Sequence, residues 1–121
     1  MNHDDETRAR GIAKMKDVYG WDIEGADGRF MEYTVDHLFA EVWDEGDLSV
    51  RERRFLLVGL AAGTGMTDVA GLQLDASMRL DELSADDLRA IVIFIAHYAG
   101  WPVAAKLNVE VEKIISQHAE G

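Results

Sequence analysis

"LSVRERRFLLVGLAAG", residues 48–63, changes from charged to apolar within one helical turn. Residues 51–54 are all charged, and the nine that follow, 55–63, carry no polar side chain. Ser49-Val50-Arg51-Glu52 has the S-x-x-E form of a capping box. In that motif the serine oxygen accepts from the backbone N–H three residues on, and the carboxylate there accepts from the serine N–H. The stretch therefore predicts a helix that begins at Ser49, reaches about Ala62 and stops at Gly63 or Gly65.

Outward from this helix, breakers and caps divide the chain into about six helical stretches. Upstream, residues 4–19 read as a helix weakened by Gly11, and the glycines and aspartates of 20–28 as a loop. Residues 29–43 read as a helix whose face carries Phe30, Thr34, His37, Leu38, Glu41 and Val42 at three-to-four spacing, with a turn at 44–47. Downstream, a short helix is expected over 67–79. Ser84-Ala85-Asp86-Asp87 then starts another, which runs to Tyr98 or Ala99 with Gly100 as its stop. Pro102 suits the first position of a last helix ending near His118, because its missing N–H has no helical partner there. No run alternates as a strand does. The expected fold class is all-α, in a single domain over 1–121.

Composition limits the functions open to such a fold. With 23 acidic against 12 basic residues the net charge is −11, which argues against partnership with nucleic acid or an anionic membrane. The absence of cysteine excludes disulfides, thiolate metal sites and thiol redox catalysis. "MNHDDETRAR" has no apolar signal core, and the longest apolar run, "AIVIFIA" at 90–96, is far short of the ~20 residues needed to span a bilayer. A cytoplasmic location is expected.

Two helices, 55–62 and 90–99, are apolar nearly all round, and a helix of that kind has to be covered on every side. Only four others are available and several are quite polar, so either the two are a central pair inside a monomer or partner subunits cover them. Partner subunits are the economical cover, and a homo-oligomer is expected. His97 is the one histidine in this apolar part of the chain, and its near-neutral pKa suits proton transfer as well as a structural hydrogen bond. Tyr98 and Trp101 beside it can wall a pocket or pack a core. His37 and Glu41 stand four apart on one face, but the sequence offers no third ligand nearby, so no metal or other cofactor is expected. Arg51, Arg53 and Arg54 put cations at a helix start, against the dipole. Either a bound carboxylate or an acidic loop such as 44–47 should compensate them.

Four segments in order resemble the carboxymuconolactone decarboxylase family, within the alkylhydroperoxidase D-like superfamily. They are "FMEYTVDHLFAEVW" (30–43), "LSVRERRFLLVGLAA" (48–62), "LQLDASMRLDELSADDLRAIV" (72–92) and "AHYAGWPVAAKLN" (96–108). The L-S-x-R-E-R start and the Y-A-G-[aromatic]-P turn are the most specific pieces, and the resemblance covers about 11–115. It implies an all-helical fold assembled as trimers or hexamers.

The resemblance also implies chemistry. One branch reduces peroxides through a C-x-x-C pair. Here the pair falls near "GTGMT", 63–67, where Thr64 and Thr67 have the spacing but not the sulfur, so thiol peroxidase activity is not expected. The other branch includes a cofactor-independent decarboxylase of aromatic-compound breakdown. By the resemblance Glu52 holds the acid–base glutamate position, with Phe55, Leu56 and Gly59 on its stripe to desolvate it and raise its pKa. The histidine expected on the following helix aligns with Gln73, which hydrogen-bonds but exchanges no proton near neutral pH. The implied function is a lyase acting on a small carboxylated lactone or related acid. Glu52 or His97 would be the acid–base group, an arginine from 51–54 the carboxylate anchor, and Gln73 an orienting group. The alternative is a small-molecule-binding or accessory oligomer that kept the fold without the activity.

Overall fold

Residues 5–120 are described by a computed structural model, and among them the chain is all-helical, with six α-helices and no strand. These are α1 (Asp5–Tyr19), α2 (Arg29–Tyr33), α3 (Val50–Gly63), α4 (Thr67–Arg79), α5 (Ala85–Ala99) and α6 (Trp101–Glu120). His3 and Asp4, the expected first helical residue, lie outside the described residues. No helix among the described residues is long and apolar enough to cross a membrane.

Both serine starts form as the sequence predicts. Ser49 N–H donates to Glu52 Oε1 at 2.8 Å and Glu52 N–H to Ser49 Oγ at 3.1 Å. The Ser84–Asp87 box has the corresponding distances 2.9 and 3.1 Å. Pro102 is the second residue of α6, one place later than expected. α3 ends at Gly63, and Gly65, with φ 81°, donates its N–H to Ala62 while Met66 N–H reaches Ala61. That is the Schellman pattern, which needs a left-handed residue at this point. α4 ends with the same two bonds, from Asp81 to Met78 and Glu82 to Ser77, but there the left-handed residue is Asp81, with φ 54°.

The chain divides into two compact units, Met1–Arg53 and Arg54–Gly121, with the division inside α3. In the first, Gly11 lets α1 lie directly on the segment after α2: a Cβ there would stand 2.0 Å from the carbonyl oxygen of Val35. A glycine that costs the helix about 1 kcal/mol in propensity is the one that allows this contact. Arg8 donates from Nε and Nη2 to the two oxygens of Asp36 at 2.5 and 2.7 Å. An aromatic ladder runs Trp21–Tyr19–Phe39–Trp43, with ring centroids 5.2, 5.8 and 5.4 Å apart.

The helix expected over 29–43 is broken. After α2 come a π-helical segment, Thr34–Phe39, closed by Ala40 N–H to Val35 O at 3.1 Å, and a 3₁₀ turn, Val42–Asp44. The expected face is also corrected. The side turned inward is Val35, Asp36, Phe39, Ala40 and Trp43, while Phe30, His37, Leu38, Glu41 and Val42 are exposed. The cause is the pairing with α1. Arg8 draws a carboxylate inward, and Gly11 receives Val35 on the same side.

The second unit has an aliphatic core: Val58, Ala61 and Ala62 of α3, Ala70 and Leu74 of α4, Leu88, Val92 and Ala96 of α5, and Ala104, Leu107, Val111 and Ile114 of α6, with Leu83 between. α6 packs against both α4 and α5. The two helices that read as apolar all round each bury one side only. Phe55, Leu56 and Leu60 of α3 and Ile93, Phe94 and Tyr98 of α5 remain exposed.

Candidate functional site

The residues singled out in the sequence fall into three groups. The first is the start of α3. The Glu52 carboxylate is turned back on Ser49 and is exposed. The hydrogen bonds from Ser49 hold its pKa below the ordinary value of 4.5, and these outweigh desolvation; Arg53 lowers it further. The rise expected from apolar neighbours is therefore corrected to a fall. The neighbours that would have desolvated Glu52, Phe55 and Leu56, are themselves exposed. Such a group is ionised and acceptor-only at neutral pH.

Arg53 is held by backbone carbonyls of the segment just before its helix. Its Nη1 donates to the carbonyls of Trp43 and Leu48, the latter at 2.8 Å, and its Nη2 donates to that of Glu45. The turn at 44–47 meets Arg53 through the backbone carbonyl of Glu45, a hydrogen bond and not the charge compensation expected of an acidic loop. Arg51 is exposed on the first turn of α3.

The second group is buried. Arg54 donates from Nη1 to the side-chain oxygen of Gln73 at 3.0 Å and to its backbone carbonyl at 3.3 Å. Its Nε donates to Glu82 Oε2 at 2.5 Å. Arg54 and Gln73 are both fully buried, so this is a charge held inside unit two by one carboxylate and one amide. Of the proposed site residues, these two are brought together here, as His97 and Trp101 are in the third group. The contact fixes the amide orientation: its oxygen faces the guanidinium, because a guanidinium only donates. It also uses Arg54 internally, which removes it as an anchor for a carboxylate ligand.

The third group is the junction of α5 and α6. His97 Nδ1 lies 2.7 Å from the carbonyl oxygen of Ile93, one turn back. A carbonyl only accepts, so Nδ1 carries the hydrogen, and in the neutral ring Nε2 is the acceptor. The His97 ring meets Trp101 edge-on with centroids 5.9 Å apart, and Tyr98 leans on Phe94 at 5.0 Å. All three of His97, Tyr98 and Trp101 are exposed, which corrects the reading of Tyr98 and Trp101 as core residues.

Two groups were missed. Glu82 sits in "DELS" and reads as a loop acid; only a buried arginine with no other counter-charge could have pointed to it. His118 was passed over as an end residue, yet its Nε2 lies 2.7 Å from Asp75 Oδ1, while Arg79 donates to Asp75 Oδ2 at 3.2 Å. The Asp75/Arg79 spacing of four was a legible helical pair. The α4–α6 contact that adds His118 was not.

Each unit has a small surface cavity. One of about 220 Å³ in the first is lined by Arg10, Lys14, Asp17, Phe39 and Asp44, and one of about 80 Å³ in the second by Gly65, Thr67, Pro102, Val103 and Lys106. Thr67 thus faces a cavity, whereas the Thr64 hydroxyl donates to the carbonyls of Leu60 and Ala61. No family model matches the chain, and neither does any curated protein or solved structure.

Proposed function

We propose that the protein is a cytoplasmic homo-oligomer, with the scaffold of the carboxymuconolactone decarboxylases, that binds a small carboxylated lactone or related acid without decarboxylating it. The observation that carries this reading is the state of the two positions where the resemblance implies acid–base chemistry. Glu52 is a capping carboxylate with a lowered pKa, committed to its own helix start. Gln73 is buried with its amide oxygen committed to Arg54. Protonating the carbon left by carbon dioxide needs a group that holds a proton near the working pH and reaches the substrate. Neither position supplies one.

A second reading, the lyase, is favoured by one feature: His97 presents Nε2 as an acceptor on an exposed aromatic surface, so its protonated form could return a proton there. One experiment separates the two. Carboxymuconolactone is titrated into the protein by calorimetry, and the same mixture is followed for loss of the carboxylated species. Saturable heat without turnover supports the binding protein. Turnover above buffer that His97→Ala abolishes selects the lyase, and neither heat nor turnover removes this ligand class.

A further inference from the structure

We propose that a second copy of this chain seats on the face formed by Ile93, Phe94, His97, Tyr98 and Trp101. The inference rests on the oligomer proposed above and names the surface that makes it. The five residues form one continuous patch. Ile93, His97 and Trp101 make a row joined by the Nδ1 bond and the edge-on ring contact, and Phe94 and Tyr98 make the adjoining row.

The exposure is large. Ile93 is 61%, Phe94 66%, Tyr98 82% and Trp101 66% exposed. Since an aromatic side chain buries about 150–250 Å² when covered, the patch comes to on the order of 500 Å². That is at the upper end of what a soluble monomer leaves in one piece, and more than half of the ~800 Å² each partner gives to a standard interface.

Charge selects the occupant. The chain carries 23 acidic residues and a net charge of −11, so two copies repel over most of their surface. Yet no carboxylate occurs anywhere from Leu88 to Val109. Like Arg53 to Thr67, this is a stretch over which two such chains can meet without bringing their own acids together, and it carries the larger aromatic surface. A basic partner would be drawn to the acidic remainder instead, and an anionic membrane would be repelled by it. The patch is also self-complementary, as a two-fold contact requires. Aromatic and aliphatic groups meet their own kind, and the Tyr98 hydroxyl of one copy can donate to the His97 Nε2 acceptor of the other.

The test is the mass in solution of the native chain and three variants, by light scattering coupled to gel filtration at micromolar concentration. The native protein should run at twice the 13.5 kDa chain mass or more. Phe94→Glu and Tyr98→Glu should fall to the single-chain mass with helical circular dichroism unchanged. Phe30→Glu, at an exposed position of the other unit, should keep the native mass. Because the chain has no cysteine, Tyr98→Cys gives a separate reading: mild oxidation should link it into a covalent pair. An oligomer that neither glutamate variant dissociates overturns this face while leaving the oligomer standing. A native chain that runs as a monomer overturns both.

Discussion

The two units each hold an internal ion pair, and the two pairs are inverted. In the first, Arg8 is 34% exposed and Asp36 only 2%; in the second, Arg54 is 1% exposed and Glu82 16%. One unit buries an anion and answers it from its margin, and the other buries a cation and does the same. The attraction is alike, but the consequence of losing a partner is not. Removing the marginal member strands a charge away from water, whereas removing the buried member leaves a charge that water can reach. The member of the pair nearer the surface is then the more sensitive position, the reverse of the usual rule that buried residues matter most.

The largest expected effect tests this in the second unit. Glu82→Ala should cost about 3–5 kcal/mol, because Arg54 keeps its charge inside with only Gln73 as partner. Arg54→Met should cost less, about 1–3 kcal/mol, mainly for the amide oxygen of Gln73 left without its donor. Urea denaturation followed by circular dichroism orders the two, and an Arg54→Met loss larger than that of Glu82→Ala breaks the comparison. The same inversion in the first unit predicts that Arg8→Ala lowers the denaturation midpoint more than Asp36→Leu does.

Next in size is Gly11→Ala, which presses on the first pair from α1. Its new methyl would meet a backbone oxygen, which cannot turn aside, so a loss of about 1–3 kcal/mol is expected in the same denaturation series. An unchanged midpoint would mean that α1 can move away from Val35 without loss of packing.

Asp81→Gly should act in the opposite direction. Asp81 takes the left-handed conformation that turns the chain so that Glu82 can return to Arg54. Glycine adopts it without the side-chain penalty, and a gain of about 0.5–1 kcal/mol should follow with the pair intact. A loss there would show that the Asp81 side chain contributes something the backbone does not.

The smallest effect belongs to Glu52, the exposed carboxylate with no buried partner. Its folded pKa lies below the ordinary 4.5, so its contribution is complete above that value and is lost as pH falls through the folded pKa. Glu52→Gln should be slightly less stable than the native chain at pH 7, with the gap closing on acidification below 4.5. Thermal melts at stepped pH read this, and a gap that widens on acidification would reverse the sign of the shift.

What the sequence made legible follows from how local each signal is. Capping boxes, glycine stops and an apolar run concern residues three or four apart, and α3 to α6 lie close to where those signals place them. The segment after α2 was misread because its inward face includes Asp36, and a carboxylate counts as a surface residue until Arg8, 28 positions away, is seen to meet it. Arg54 and Glu82 are separated by the same 28 positions, so their bond was equally invisible. Glu52 offered two local readings, and the nearer one, three residues away at Ser49, is the one found. Pairings across helices depend on packing, which no window of sequence contains.

The π-helical segment has a consequence for how the chain tolerates change in length. An α-turn closes in 3.6 residues, so a deletion inside a regular helix swings every later side chain by about 100° and moves an inward face outward. Thr34–Phe39 closes a wider turn, Val35 to Ala40, and in effect contains one residue more than an α-helix needs. Taking out the exposed Leu38 should let the segment relax to ordinary α-geometry while Phe39 and Trp43 keep their places in the aromatic ladder. Near-ultraviolet dichroism from the stacked rings would persist in that variant and would be lost if Met15 were removed from α1, where the same swing of about 100° turns Tyr19 out of the ladder. Insertions and deletions should thus be graded by helix type, with one short stretch of the first unit acting as the chain's slack.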